Sequence, residues 1–260
     1  MGDGIIGLQQ WFETPPGRYV LGWERQVYEA AVADIFGYHA LQLGLPGFDA
    51  LAANRMPHRW LASTYAAGAT VALRTDYAAL PFPQDSLDLV ALPHTLDSHA
   101  NPHGVLREVA RVLLPGGRVV LSGFSPASLW GLRQRRERWC HRLRMGTPLL
   151  PPELDFIGLL RLRDWLHLLD FEIEVVRHGC FRPLLGSQAW LQRWRWLDAV
   201  GPRWWPFFGA VYFVVAVKRV HGMRLLEPAW KRMGQAQAVS APLVRRSGDN
   251  PASFFQEHSE

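Results

Sequence analysis

Cysteine is scarce in this chain of 260 residues: there are two, Cys140 and Cys180. They match neither the paired spacing of a zinc site nor a disulfide framework. No metal site is expected, and a reducing cytoplasm is the expected compartment. Long apolar runs are also lacking. The longest, Trp204 to Val217, falls short of the roughly 18 residues of a membrane-spanning helix and is interrupted by Pro206 and Gly209. It reads as a buried strand, with peripheral contact at a membrane surface left open. The N-terminus, MGDGIIGLQQWFETPPGRY, lacks the basic-then-apolar order of a signal peptide. Acidic residues are the minority charge, 23 against 28 basic ones, for a net charge of +5. Much of the excess lies in GLRQRRERWCHRLRMG (131–146). That run suits a solvated helix face, or a patch for an acidic partner such as RNA or anionic lipid. No RNA-binding pattern accompanies it, so nucleic acid is the less favoured partner.

What the chain does have is apolar material, 48% of residues, enough for a sizeable core. After a turn at Pro15-Pro16-Gly17, Val20, Trp23, Val27, Ala30, Ala31 and Ile35 recur at helical spacing and predict a helix over about 18–36. Residues 1–37 thus read as an N-terminal helical extension. Short apolar segments at 38–47, 58–63, 69–76, 86–93 and 118–125 read as strands. FDALAANRM (48–56) offers at most two to three helical turns. Asn101 and Pro102 open a helix that Pro115-Gly116-Gly117 closes. Further on come helices over 128–144 and 159–170, a strand at 171–179, one helix over 187–201 and a last strand at 209–220. The polar tail, 221–260, is expected to be disordered. Strands alternating with helices imply an α/β fold, a doubly wound, mostly parallel sheet with helices on both faces. The final strand is expected to be antiparallel.

Two stretches are more specific. LPFPQDSLDLV (80–90) is followed by REVARVLLPGGRVVLSGF (107–124). Together and in this order they resemble the core of class I S-adenosylmethionine-dependent methyltransferases of the type 11 kind. The resemblance covers about 38–220, with the core at 38–125. Physically, Pro81 and Pro83 stiffen an extended loop that Leu80 and Phe82 anchor. Asp88 starts a strand whose carboxylate is placed to accept backbone N–H groups. The strand delivers Leu92, Pro93 and His94 to the carboxyl edge of the sheet, where open α/β folds bind ligands.

The resemblance implies a Rossmann-like fold and S-adenosylmethionine as cofactor. It assigns Asp76 to the adenine amino group, though an aspartate there also suits a turn cap. Tyr77 would flank the ring, and Leu92 and Pro93, at the strand end, would be among the cofactor-binding residues. In the family's glycine loop, Gly44 and Gly47 are present, Gln42 stands where an acid is usual, and Pro46 removes a donor. Ser63, in Ala62-Ser63-Thr64, stands where the family has a ribose-binding carboxylate. Losing charge-assisted hydrogen bonds there costs about 1.5–3 kcal/mol each. The segment between the first and third strands is short, so the first crossover helix must be clipped. His94 is the candidate base, with a capping or surface histidine as the bland alternative. The function implied is methyl transfer to a small-molecule or lipid-like acceptor. The alternatives are a decayed methyltransferase fold kept as a binding or scaffold module, and an RNA methyltransferase.

Overall fold

The structure, a computed structural model, describes residues 3–65, 71–142, 150–151, 154–184 and 188–219. For residues 3–6 and 137–142 the backbone alone is described. The expected disordered tail lies outside the described residues. Seven strands form one sheet: β1 (His39–Leu43), β2 (His58–Ser63), β3 (Leu73–Arg74), β4 (Leu87–Pro93), β5 (Leu113–Phe124), β6 (Phe171–Gly179) and β7 (Val211–Lys218). Their order is β3-β2-β1-β4-β5-β7-β6. The pairs from β3 to β5 are parallel, and β7 runs antiparallel to both β5 and β6. The expected Rossmann-like sheet with an antiparallel last strand is therefore present. Central strands are apolar because both faces are covered: Leu89 to Leu92 in β4 and Val211 to Val217 in β7 are all buried. Two apolar clusters result, one on each face.

Eight α-helices are described: α1 (Asp3–Phe12), α2 (Pro15–Val32), α3 (Thr95–Ser98), α4 (Pro102–Val112), α5 (Leu129–Arg142), α6 (Leu159–Leu168), α7 (Gln188–Arg193) and α8 (Leu197–Trp204). Several expectations need correction. Pro15-Pro16-Gly17 is not a turn before a helix but the first turn of α2. Thr14 is its N-cap and accepts a hydrogen bond from the Gly17 N–H at 3.3 Å. The prolines cost nothing there, because first-turn N–H groups have no helical partner. Gly17 is needed because a Cβ would lie 2.3 Å from the Trp11 carbonyl oxygen. FDALAANRM forms turns and no helix. Asn54 holds it by donating to the carbonyls of Val32 and Ile35, just past α2. The first crossover is clipped, as its length implied. The helix over 101–117 ends at Val112, where β5 already begins. The helix over 187–201 is two short ones, α7 and α8. Helix α1 was not expected.

The two family-like stretches are one structural unit. The Leu80 N–H donates to Glu108 Oε1 at 2.9 Å, and Arg111 Nη2 donates to the carbonyls of Leu80 and Phe82 at 3.1 and 2.9 Å. Helix α4 thereby clamps the loop that leads into β4. Asp88 Oδ2 accepts from the N–H groups of Tyr38 and His39 at 2.8 and 2.9 Å, which fixes the start of β1 beside β4.

Candidate functional site

The strand order reverses between β1 and β4, and the carboxyl ends beside such a reversal are where open α/β sheets bind ligands in a crevice. The loop after β1 forms one wall. Gly44 has φ of +79°, and Leu45 is left-handed too, at +47°. A Cβ on Gly44 would lie 3.3 Å from both Thr95 Oγ1 and the Tyr77 hydroxyl. Gln42 does not face the crevice. It is buried, and its Nε2 donates to the carbonyls of Gly44, Leu45 and Phe48 at 3.2, 3.3 and 2.6 Å. Its Oε1 accepts from the Ala50 N–H at 2.8 Å. Three acceptors around one end and a donor at the other fix the amide orientation. A carboxylate would set an oxygen against three carbonyls, which accounts for an amide where the family has an acid. Leu45 and Phe48 turn into the core. Gly47 faces Gln9 of α1, whose Nε2 would be 3.3 Å from a Cβ there.

Ser63, at the end of β2, is fully buried. The Tyr77 ring crosses to it and is also fully buried. Its hydroxyl lies among those of Ser63 and Thr64, yet neither Tyr77 Oη nor Thr64 Oγ1 has an aligned hydrogen-bond partner among the described residues. Burial raises the Tyr77 phenol above its ordinary pKa, so it remains a neutral donor. Asp76 points outward, with its side chain 64% exposed. It caps its own turn by accepting from the Ala78 N–H at 3.0 Å, and lies 3.5 Å from His99 Nε2. The sequence-predicted nucleoside residues Gly44, Ser63 and Tyr77 are therefore together, with Asp76 at the rim.

The second wall is the end of β4. Leu92 and Pro93 are buried, paired with Leu121 and Ser122 of β5. His94 follows with φ of +50° and no exposure. Its Nδ1 lies 3.1 Å from Asp97 Oδ2, which also accepts from the Phe124 N–H at 2.8 Å. Its Nε2 lies 2.9 Å from Glu24 Oε1 of α2. Burial alone would lower the imidazole pKa. The Glu24 charge, together with contacts to Asp97 and Glu24, outweighs it and raises the pKa to about 9. Burial pushes the Asp97 carboxyl up, against the His94 contact. This is not the arrangement of a free base, since both ring nitrogens face carboxylates. Tyr28 and Tyr212 complete the cluster, both held neutral chiefly by burial. Glu24, Asp97 and Tyr212 escaped the sequence reading. Glu24 could have been found as the lone acid on the apolar stripe of α2, four residues after Val20. No local pattern marks Tyr212.

Helix α1 covers this edge. Phe12 packs at 5.6 Å from the His94 ring and Trp11 at 5.7 Å from Phe124, measured between ring centroids. Phe124 also stacks on Phe156 at 5.1 Å. The end of β4 is thus walled by aromatic rings. Of the arginine run, Arg135 and Arg136 are exposed and Arg133 donates to the Leu184 carbonyl. The side chains after residue 136 in that run lie outside the described residues. Cys180 is buried among apolar groups. Among the described residues no group of His, Cys, Asp and Glu is arranged to hold a metal ion.

Comparison with known proteins agrees with this geometry. Residues 46–121 match the family model described as a methyltransferase domain. The chain is 34% identical over 175 residues to the uncharacterized protein YafS of Escherichia coli (strain K12), covering 65% of this chain and 67% of YafS. An S-adenosylmethionine-dependent methyltransferase from Thermotoga maritima superposes with a TM-score of 0.53 at 14% identity, over 77% of this chain and 93% of that one. Another, from Mesorhizobium loti, gives 0.51 at 16% identity, over 74% and 96%. These structural likenesses show the fold. With the domain match, the related sequence and the sheet order, the chain belongs to the class I S-adenosylmethionine-dependent methyltransferases.

Proposed function

We propose that the chain transfers a methyl group from S-adenosylmethionine to a small, apolar or lipid-like acceptor. The observation that supports this best is a pair of buried hydroxyls, Thr64 Oγ1 and Tyr77 Oη, neither with an aligned hydrogen-bond partner among the described residues, the second lying 3.3 Å from where a Cβ on Gly44 would be. Buried hydroxyls without partners are costly, and nucleoside hydroxyls are of the right chemistry to satisfy them. Ser63, Thr64 and Tyr77 would hold the ribose where relatives use a carboxylate. Asp76 would meet the adenine amino group from the rim. When bound, the cofactor supplies an electrophilic methyl group, whose transfer depends mainly on alignment. His94, held charged between Glu24 and Asp97, acts as a fixed cation that orients the end of β4 rather than as a base. Trp11, Phe12 and Phe124, buried in the core beside the end of β4, make those surroundings apolar, which suits an apolar acceptor better than a nucleic acid.

A second reading has its own observation. The Tyr77 ring fills the space beside Gly44, and Leu45 and Phe48 are core residues. A nucleoside enters only if the ring swings aside. A ring that never does so would make the chain a binding or scaffold module on a methyltransferase fold. The two separate in one experiment: incubate the protein with methyl-tritiated S-adenosylmethionine and a bacterial lipid extract, then count the organic phase. Label above that of a boiled control supports methyl transfer. Background label, with no labelled cofactor retained by the protein on a desalting column, supports the module.

A further inference from the structure

The run from Trp204 to Val217, read from sequence as one buried strand, is divided in the structure. Val211 to Val217 enters the sheet as expected, but 202–208 is exposed at every residue. That segment is Pro202-Arg203-Trp204-Trp205-Pro206-Phe207-Phe208. Trp204 is 70% and Phe207 71% exposed, with Trp205 and Phe208 each at 51%. Trp190 on α7 and Trp196 at the start of α8 add rings at 50% and 52%. Isolated apolar side chains at a surface need no explanation, but six large aromatic ones within 19 consecutive positions do. Pro202 and Pro206 stiffen this segment.

The charges among these rings have one sign. Arg193, Arg195 and Arg203 are all exposed, and the Arg193 guanidinium lies 5.7 Å from the centre of the Trp190 ring. The single carboxylate between 188 and 208 is Asp198. It is turned inward, accepting from Tyr19, from Arg182 Nε at 2.8 Å and from the Phe181 N–H at 3.2 Å. Among the described residues of 188–208, the outer face therefore presents indole and phenyl rings interleaved with arginine and no available acid. Tryptophan and arginine together suit a bilayer interface: the rings settle at headgroup depth while the guanidinium groups meet phosphate. A second copy is a poor match. A twofold contact would set these arginines against their own kind, with Asp198 already engaged. No described helix is long and apolar enough to cross a membrane, so contact would be peripheral.

We infer that α7, α8 and the turn Pro206–Phe208 form a docking surface for anionic lipid bilayers. This stands independently of the proposed methyl transfer, and would place an apolar acceptor within reach if that reading holds. The test is flotation of the full chain with vesicles of phosphatidylcholine alone or with one third phosphatidylglycerol. The protein should float with the anionic vesicles, and the bound fraction should fall as salt rises from 0.05 to 0.5 M (about one Debye length of 14 Å shrinking to 4 Å). A triple variant, Trp204→Ser, Trp205→Ser and Phe207→Ser, should bind at least tenfold more weakly with an unchanged circular dichroism spectrum. Arg203→Gln should bind more weakly at low salt only. Wild-type protein that stays with the soluble fraction would overturn the inference. So would a folded triple variant that floats as well as wild type, since the attachment would then lie elsewhere. A dimer that the triple variant abolishes, without vesicle binding, would replace the bilayer with a second copy.

Discussion

Glu24 and His94 meet at 2.9 Å with neither side chain exposed, although one belongs to α2 and the other directly follows β4. Asp97 engages the opposite ring nitrogen, and its Oδ2 also takes the Phe124 N–H. The N-terminal helices are thereby tied into the carboxyl edge of the sheet. A buried cation between two carboxylates is costly to break, because removing one partner leaves a charge uncompensated.

A pH dependence follows. The His94 pKa is about 9 in the folded chain, against roughly 6.5 for an unperturbed histidine. Its contribution to stability is fully present below about pH 6.5 and is lost as pH rises through 9. The melting temperature of the wild type should fall between these values. His94→Asn suits the left-handed backbone and should flatten that slope while lowering stability at pH 6. A variant with the wild-type slope would show that another group titrates.

Gln42→Glu restores the family's acid and should be harmful. Its carboxylate would face the carbonyls of Gly44, Leu45 and Phe48. A loss of roughly 3–5 kcal/mol is expected at neutral pH, as for an uncompensated buried charge. The loss should shrink toward pH 4, where a protonated acid can donate. Urea unfolding at the two pH values checks both points.

Tyr77→Phe separates ligand binding from stability. The hydroxyl is buried without an aligned partner among the described residues, so its removal should leave stability unchanged or raise it by up to about 1 kcal/mol. Cofactor affinity should fall several-fold. A clear loss of stability would show that the hydroxyl has a structural role.

Asp76→Asn keeps an oxygen to accept from the Ala78 N–H and removes the charge. Stability should change by less than about 0.5 kcal/mol, as for most surface substitutions. Affinity for S-adenosylhomocysteine should fall about threefold to tenfold, the gap between a charged and a neutral acceptor. An unchanged affinity would restrict Asp76 to capping its turn.

The parts of the fold legible in the sequence are those governed by local pattern. The strands from His39 to Phe124 show as apolar runs, and Asp88 as a carboxylate at a strand start. The Leu80–Phe82 loop and the Glu108–Arg111 pair are legible as motifs, but their clamp joins residues 28 to 31 positions apart. Helix α1 was missed because Gly4 and Gly7 weaken its pattern and its support comes from the sheet edge. Tyr77 was read as flanking a ring; that it lies across the end of β2 depends on where β3 ends, which no local pattern contains. The exposed Trp204–Phe208 segment was merged with β7 because hydropathy does not distinguish a surface ring from a core one. The 3₁₀ turn that separates them is visible only in three dimensions.

In the proposed function, the strand ends beside Gly44, Ser63 and Tyr77 bind the nucleoside of S-adenosylmethionine. Isothermal titration of S-adenosylhomocysteine into the full chain, with Tyr77→Ala in parallel, tests it most directly. Saturable heat at one site per chain is expected. Binding by Tyr77→Ala should be at least several-fold weaker, because the hydroxyl that would hold the ribose is lost. No heat from either folded protein at millimolar ligand would contradict the proposed function.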